Sequence, residues 1–312
     1  GVGRSSAYGD ILIGADGIRS VRDITLVIAF LLIRVQSVRQ SFIPDYKLQF
    51  SGKVFIRRMF DASLVEGKIP GLPADSIHWW GPKDNFFASG LVKWKNQHPG
   101  KDQYTTVEAY DDPRSAEKVE KCILRDKFGS VEFLRGAYKD WNPTFKALTE
   151  LTLSTNFYPS FVGDALPNWV FGSRVTLVGN AAHAHGGAFA AGGSLALDDS
   201  LVLGLAFEEV FSSSKATFSP ENINKALGLY SQTRQPHTAG VTRKVLFLQH
   251  TKKRLHLLLE TGRPNTEWLS EHDVEAAFTA VVEQLEGAQR QVRLAGPETK
   301  RDGEIQLQRS KL

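Results

Sequence analysis

Cysteine is nearly absent from this chain: Cys122 stands alone in 312 residues. No disulfide can form within it, and a reducing compartment suits it. The spacing of Cys122 with Val119 and Ile123, after a helix start at Asp112-Pro113, predicts a core position on a short helix. Long apolar runs are missing as well. The most hydrophobic window, Ile24 to Ile33, ends at Arg34 and is too short to cross a bilayer as a helix, which takes about 20 residues. It lacks the basic start and small-residue cleavage site of a secretion signal, and a strand-and-turn pattern precedes it. Charge of one sign is scarce: the net charge is +4 with Lys and Arg spread along the chain, so no nucleic-acid partner is implied. His183 and His185 have no Cys or carboxylate cluster at ligand spacing, which argues against a metal site. No G-x-S-x-G precedes a helix, which argues against a serine hydrolase. With 42% hydrophobic and 23% charged residues, the chain has the composition of one large or two ordinary globular domains.

The most informative stretch runs from Arg174 to Ser200. Arg174 to Val178 is a short β-branched and apolar run, Gly179 ends it, and Gly186, Gly187, Gly192 and Gly193 free the backbone for close approach to a ligand. From Ser194 to Val210 the pattern is apolar with few charges, which predicts a helix buried against a sheet. The amino end of that helix presents unpaired N–H groups and the positive end of a dipole, suited to an anion or an electron-rich carbonyl. Near the start, Ile11 to Ile13 predicts a second strand, and Gly14 and Gly17 a tight turn that offers the Asp16 carboxylate to backbone donors. Between Phe42 and Asn156, runs such as Lys53 to Arg57, Ile77 to Trp80 and Phe86 to Val92 predict a sheet, with Gly81 to Asn85 as a hairpin connection. Trp79, Trp80, Phe86 and Phe87 are candidates for an aromatic pocket, against ordinary packing. Arg57 and Arg58 face opposite sides of their strand, so only one can meet a ligand anion; a solvated sheet face is expected for both.

Two segments resemble the flavin motifs of the FAD-dependent aromatic-ring monooxygenases of the salicylate-hydroxylase and para-hydroxybenzoate-hydroxylase type. Gly179, Ala181, Ala182 and His183 match the family's G-D-A-A-H, with Asn180 in place of the aspartate. Gly192 and Ser194 stand at its G-x-N, and Asp198-Asp199 at the acidic pair that follows. The family's usual prolines are replaced by Ala184 and Gly187. Asp10 to Ser20 resembles the other motif, a strand followed by G-A-D-G-x-x-S, with Arg22 one residue early. Tyr230-Ser-Gln-Thr-Arg234-Gln-Pro236-His237 resembles Y-x-x-x-R-x-P-R. It is read as leading into another helix through about Leu255. Ser270 to Asp273 reads as a capped helix start, with one apolar face from Val274 to Leu285.

The resemblance implies an α/β chain: a partial FAD-binding Rossmann-like domain with an inserted, mostly antiparallel β-sheet substrate domain. Residues 1–41 are read as a remnant of the FAD-binding domain, with an insertion at 24–41, hypothetically a translated intron remnant. Residues 42–156 form the substrate-domain sheet and helix, 157–265 the second part of the FAD-binding domain, and 266–312 a helix and loose tail. The family begins with a strand and a G-x-G-x-x-G turn holding the ADP half of FAD. Only nine residues precede Asp10, and with no initiating Met the chain is expected to be truncated or to hold FAD unusually. Cofactor-binding residues implied are Asp16, Gly17, Gly179, Asn180, His183, Gly192, Gly193 and Ser194, with His183 ordering the loop; no catalytic residue is implied.

The expected activity is hydroxylation of an aromatic or phenolic small molecule, with FAD as cofactor, NAD(P)H as co-substrate and dioxygen. The alternatives are a non-catalytic truncated remnant that binds FAD poorly, and a flavin epoxidase acting on a polyketide or terpene intermediate. The terminal Ser310-Lys311-Leu312 matches a peroxisomal address, implying an import receptor as partner; a cytoplasmic setting is the alternative. Loss of peroxisomal import on removing Leu312 from a reporter bearing this tail is the test, and a cytosolic pattern for both forms would end the reading.

Overall fold

A computed structural model describes residues 8–17, 26–28, 31–33, 38–65, 67–72, 77–80, 86–92, 102–112, 131–187, 191–213, 216–250 and 267–294. In chain order the strands and helices are β1 (Leu12–Gly14), β2 (Leu26–Ile28), β3 (Leu31–Ile33), α1 (Val38–Phe42), β4 (Gln49–Asp61), β5 (Ile77–Trp80), β6 (Phe86–Val92) and β7 (Gln103–Asp111). There follow α2 (Val131–Ala137), α3 (Pro143–Glu150), β8 (Asn156–Val162), β9 (Val170–Phe171), β10 (Val175–Leu177), α4 (Gly192–Phe211), α5 (Pro220–His250), α6 (Glu267–Ser270) and α7 (Val274–Leu294). Ser20, Arg22, Cys122, Gly81 to Asn85 and the Ser310-Lys311-Leu312 tail lie outside the described residues, as do the side chains of Trp79, Trp80, Phe86 and Phe87.

The chain is α/β. Strands β1 and β10, far apart in sequence, pair in parallel with Leu12 opposite Val175 and Gly14 opposite Leu177, and β9 joins β10 antiparallel. Helices α4, α5 and α7 cover this small sheet. The core between them holds Trp169, Leu177, Val202, Ala206, Ala226, Tyr230 and Phe278. A second sheet is antiparallel throughout, in the order β5-β6-β7-β4-β8. Strand β4, paired on both sides by β7 and β8, alternates as its sequence dictates: Val54, Ile56 and Arg58 are buried, whereas Arg57 and Met59 are exposed. The buried face packs Ile56 and Tyr104 against Leu134, Tyr138, Phe145 and Leu148 from α2, α3 and the turn between them. Asn142 caps α3 by accepting from the Thr144 N–H at 2.8 Å.

Three expectations change. Arg58 does not lie on a solvated face: its guanidinium donates to the Glu108 carboxylate and to Thr152, and only 4% of the residue is exposed. Its register with Val54 and Ile56 drives it inward, and a buried cation requires such a partner. The helix read as beginning after the Tyr230 to His237 segment is not a separate one: α5 runs unbroken from Pro220 to His250 with Pro236 inside it. The segment read as inserted divides in two: β2 and β3 pair only with each other among the described strands, while α1 belongs to the site described below. The start of α7 is as expected, with Asp273 accepting from the Ala276 N–H at 2.9 Å.

Candidate cofactor site

Parallel pairing of β1 with β10 brings the carboxyl ends of both strands, and hence both motifs, to one edge of the small sheet. In open α/β sheets that edge is where ligands bind. The turns are stitched through α1. Asp16 Oδ2 accepts from the Val38 N–H at 3.1 Å, and the fully buried Arg39 donates to the carbonyls of Asn180 at 3.1 Å and Ala181 at 2.9 Å. Burial pushes the Arg39 pKa down, partly offset by Tyr46 and Asp16. Nothing in the sequence singled out Arg39, a lone cation in a polar stretch.

The turn after β10 is shaped by its glycines. Gly179 has φ of +61°, a left-handed conformation natural to glycine. Gly187 lies so close to the large sheet that a Cβ there would sit 2.4 Å from Phe55 Cε2, and its N–H reaches Ser160 Oγ at 3.5 Å. The glycine loop therefore rests on the open face of the large sheet, and the Gly163 N–H donates to the Ala184 carbonyl at 3.0 Å between them.

Beneath the turn lies a charged hub. Asp199, fully buried on α4, accepts from the Gly179 N–H at 2.9 Å, meets His183 Nε2 at 2.7 Å and accepts from Arg234 Nε at 2.9 Å. Burial alone would raise the Asp199 pKa, but the hydrogen bond with His183 and the charge of Arg234 outweigh it and hold the pKa below its ordinary value. Arg234 reaches Asp198 as well, at 3.3 Å. The acidic pair and the arginine of the Y-x-x-x-R-x-P segment thus meet as one ion cluster, and Tyr230 donates to the Leu177 carbonyl at 2.9 Å. His183 orders the loop from below. His185 stacks on it with ring centroids 4.9 Å apart and meets Thr242 Oγ1 at 2.9 Å.

The hub fixes α4 so that its amino end opens at the turn. No side chain caps that end, which leaves the first N–H groups, at Gly192, Gly193 and Ser194, without helical acceptors. A Cβ at Gly193 would meet nothing within 4 Å. Asn180 points its side chain at Gly192, and its buried Oδ1 has no hydrogen-bond partner. Open donors on α4, an unpaired amide oxygen and the Asp16-Gly17 turn at one sheet edge fit a ligand that offers both acceptors and hydroxyl donors, as a flavin with its ribityl chain does. Among the described residues no group of three His, Cys, Asp or Glu side chains is arranged to hold a metal ion, and no helix is long and apolar enough to cross a membrane.

Comparison with known proteins agrees with this geometry. The chain is 25% identical over 236 residues to 6-hydroxynicotinate 3-monooxygenase of Pseudomonas fluorescens, covering 75% of this chain and 51% of that protein. To 3-hydroxybenzoate 6-hydroxylase 2 of Aquipseudomonas alcaligenes it is 29% identical over 237 residues, covering 76% and 61%. Its sequence is thus similar to those of aromatic-ring hydroxylases. No protein-family model matches it, and it spans about half to three fifths of the length of these relatives. The fold is that of solved FAD-binding monooxygenases. A salicylate hydroxylase substrate complex superposes with a TM-score of 0.59 at 21% identity, over 87% of this chain and 64% of that one. CtdE in complex with FAD and a substrate gives 0.62 at 16% identity, over 89% and 64%.

Proposed function

We propose that this chain is the site-bearing part of a flavin-dependent monooxygenase that hydroxylates an aromatic small molecule, with FAD as cofactor and NAD(P)H and dioxygen as co-substrates. The observation that carries this reading is the joining of two turns, Asp16-Gly17 and Gly179–Ser194, by parallel strands and by Arg39, at one edge facing the open side of a sheet. Asp16, Asn180 and the backbone of Gly192, Gly193 and Ser194 would hold the FAD, which supplies the redox and oxygen chemistry once bound. The rest is positioning by the protein. The α4 dipole favours negative charge at the turn, the Asp199 hub holds α4 in place, and the large sheet provides a wall that excludes water from one side.

Relatives named for hydroxynicotinate and hydroxybenzoate support a hydroxylated aromatic ring as substrate class. Purified full chain supplied with FAD is expected to consume NADH or NADPH and dioxygen faster when 3-hydroxybenzoate or 6-hydroxynicotinate is added, and to yield a product one oxygen atom heavier. Cofactor oxidation that ignores a panel of hydroxylated aromatic rings, with no oxygenated product by mass spectrometry, would overturn the reading.

A further inference from the structure

We propose that His237 and His272 form a proton-operated latch, which holds the segment 267–273 against the amino end of α4 near neutral pH and releases it on acidification. That segment is a strap along α5. Trp268 and Leu269 of α6 pack against a core that includes Ala191, Leu195 and Val241, and the first two of these frame the first turn of α4. The strap is fastened at two points. At one, the Lys244 ammonium lies 3.4 Å from the centre of the Trp268 ring. At the other, the His272 ring stacks on that of His237 with centroids 3.7 Å apart and planes inclined by 16°. Positions 237, 241 and 244 recur on one face of a helix, so both fastenings and the apolar contact between them lie along the same side of α5.

Neutral imidazoles stack in contact, whereas two imidazolium rings at this distance would place like charges together with little water between them. The Nε2 atoms of both rings are buried and have no hydrogen-bond partner, so a proton arriving there finds no acceptor. Around the pair, Arg234 of α5 faces both histidines, His183 and Asp199 face His237, and Asp198 and Asp273 face His272. The acids are engaged elsewhere: Asp198 and Asp199 with Arg234, and Asp273 with the start of α7. Burial, then His272 and Arg234, take the His237 pKa down to about 4, and burial and Arg234 lower that of His272. In a released strap both rings meet water and regain an ordinary pKa near 6.5. The released form therefore takes up protons that the fastened form refuses, and release grows as pH falls from about 6.5 toward 4. From His237 alone the equilibrium shifts about thirtyfold between pH 7.5 and pH 5. Release uncovers Ala191 and Leu195, so acid loosens the head of α4 whatever the turn binds.

The test is amide hydrogen exchange of the full chain, with rates corrected for the intrinsic effect of pH and followed in peptides covering 267–273 and 195–199. Between pH 7.5 and pH 5 protection in both should fall together, by about thirtyfold. His272→Phe keeps a flat ring in the stack without its charge, and the fall is expected to be smaller. In the double variant His237→Phe with His272→Phe it should nearly vanish, with the far-ultraviolet circular dichroism of the wild type at pH 7.5. Protection that ignores pH in the wild type, or a fall undiminished in the double variant, would overturn the latch. Titration of the wild-type imidazoles by nuclear magnetic resonance provides a check that needs no variant. His237 should titrate well below 6.5, and an ordinary pKa for both rings in the folded chain would overturn the latch as well.

Discussion

At the scale of single residues, the site depends on an ion cluster buried beneath the turn. Asp199 holds Gly179, His183 and Arg234 together, and removing one member of a buried ion cluster typically costs about 3–5 kcal/mol because the others are left uncompensated. His185, stacked on His183 and close to His237 and Asp199, is the group that makes this region sensitive to pH. Burial first, and the neighbouring His183 second, depress its pKa to about 3, against an ordinary 6.5. The unfolded chain therefore binds a proton that the folded chain refuses, and stability is lost as pH falls from about 6.5 toward 3. His237, lowered to about 4 by burial and by His272, acts in the same direction. At pH 5 the His185 contribution to the loss is about 2 kcal/mol. Urea unfolding at pH 7 and pH 5 should show a smaller difference for His185→Gln than for the wild type. An unchanged difference would remove His185 from the account.

At the scale of elements, the glycine turn was legible because a short apolar strand, clustered glycines and an apolar helix each have one ready structural meaning. The acidic pair and the Y-x-x-x-R-x-P segment were visible as well, but their junction was not: nothing in a linear pattern places Arg234 over Asp199. Arg39 was missed for the same reason, since its acceptors are backbone carbonyls 141 and 142 positions away. Pro236 misled because an interior proline costs a helix about 3 kcal/mol. In α5 that cost is offset by tertiary contacts on both sides of it, from Tyr230 and Arg234 before and from Thr238 and Thr242 after. Arg58 was misjudged by its charge, although the alternation with Val54 and Ile56 pointed inward. Gly187 tests how closely the loop and the large sheet are fitted. Gly187→Ala would force Phe55 aside, with a loss of about 1–3 kcal/mol and weaker FAD binding. A variant as stable as the wild type, with unchanged FAD affinity, would show that the loop does not need this approach.

At the scale of the whole molecule, two layers meet: a small mixed sheet under α4, α5 and α7, and a larger antiparallel sheet backed by α2 and α3. The strands of the large sheet were legible in runs such as Lys53 to Arg57 and Phe86 to Val92, the α/β class and the inserted domain followed from the resemblance, and the parallel pairing of β1 with β10 is seen only in the fold. That pairing is the central claim in physical form, since it brings residues 16 and 180 to one edge. The direct measurement is the visible absorbance of the purified chain after incubation with FAD and removal of free cofactor by desalting. Flavin absorbance should elute with the wild-type protein and be lost when Gly192→Val fills the space beside Asn180 at the head of α4. A colourless protein peak with all the FAD in the small-molecule fraction, or flavin retained equally by Gly192→Val, would contradict the account.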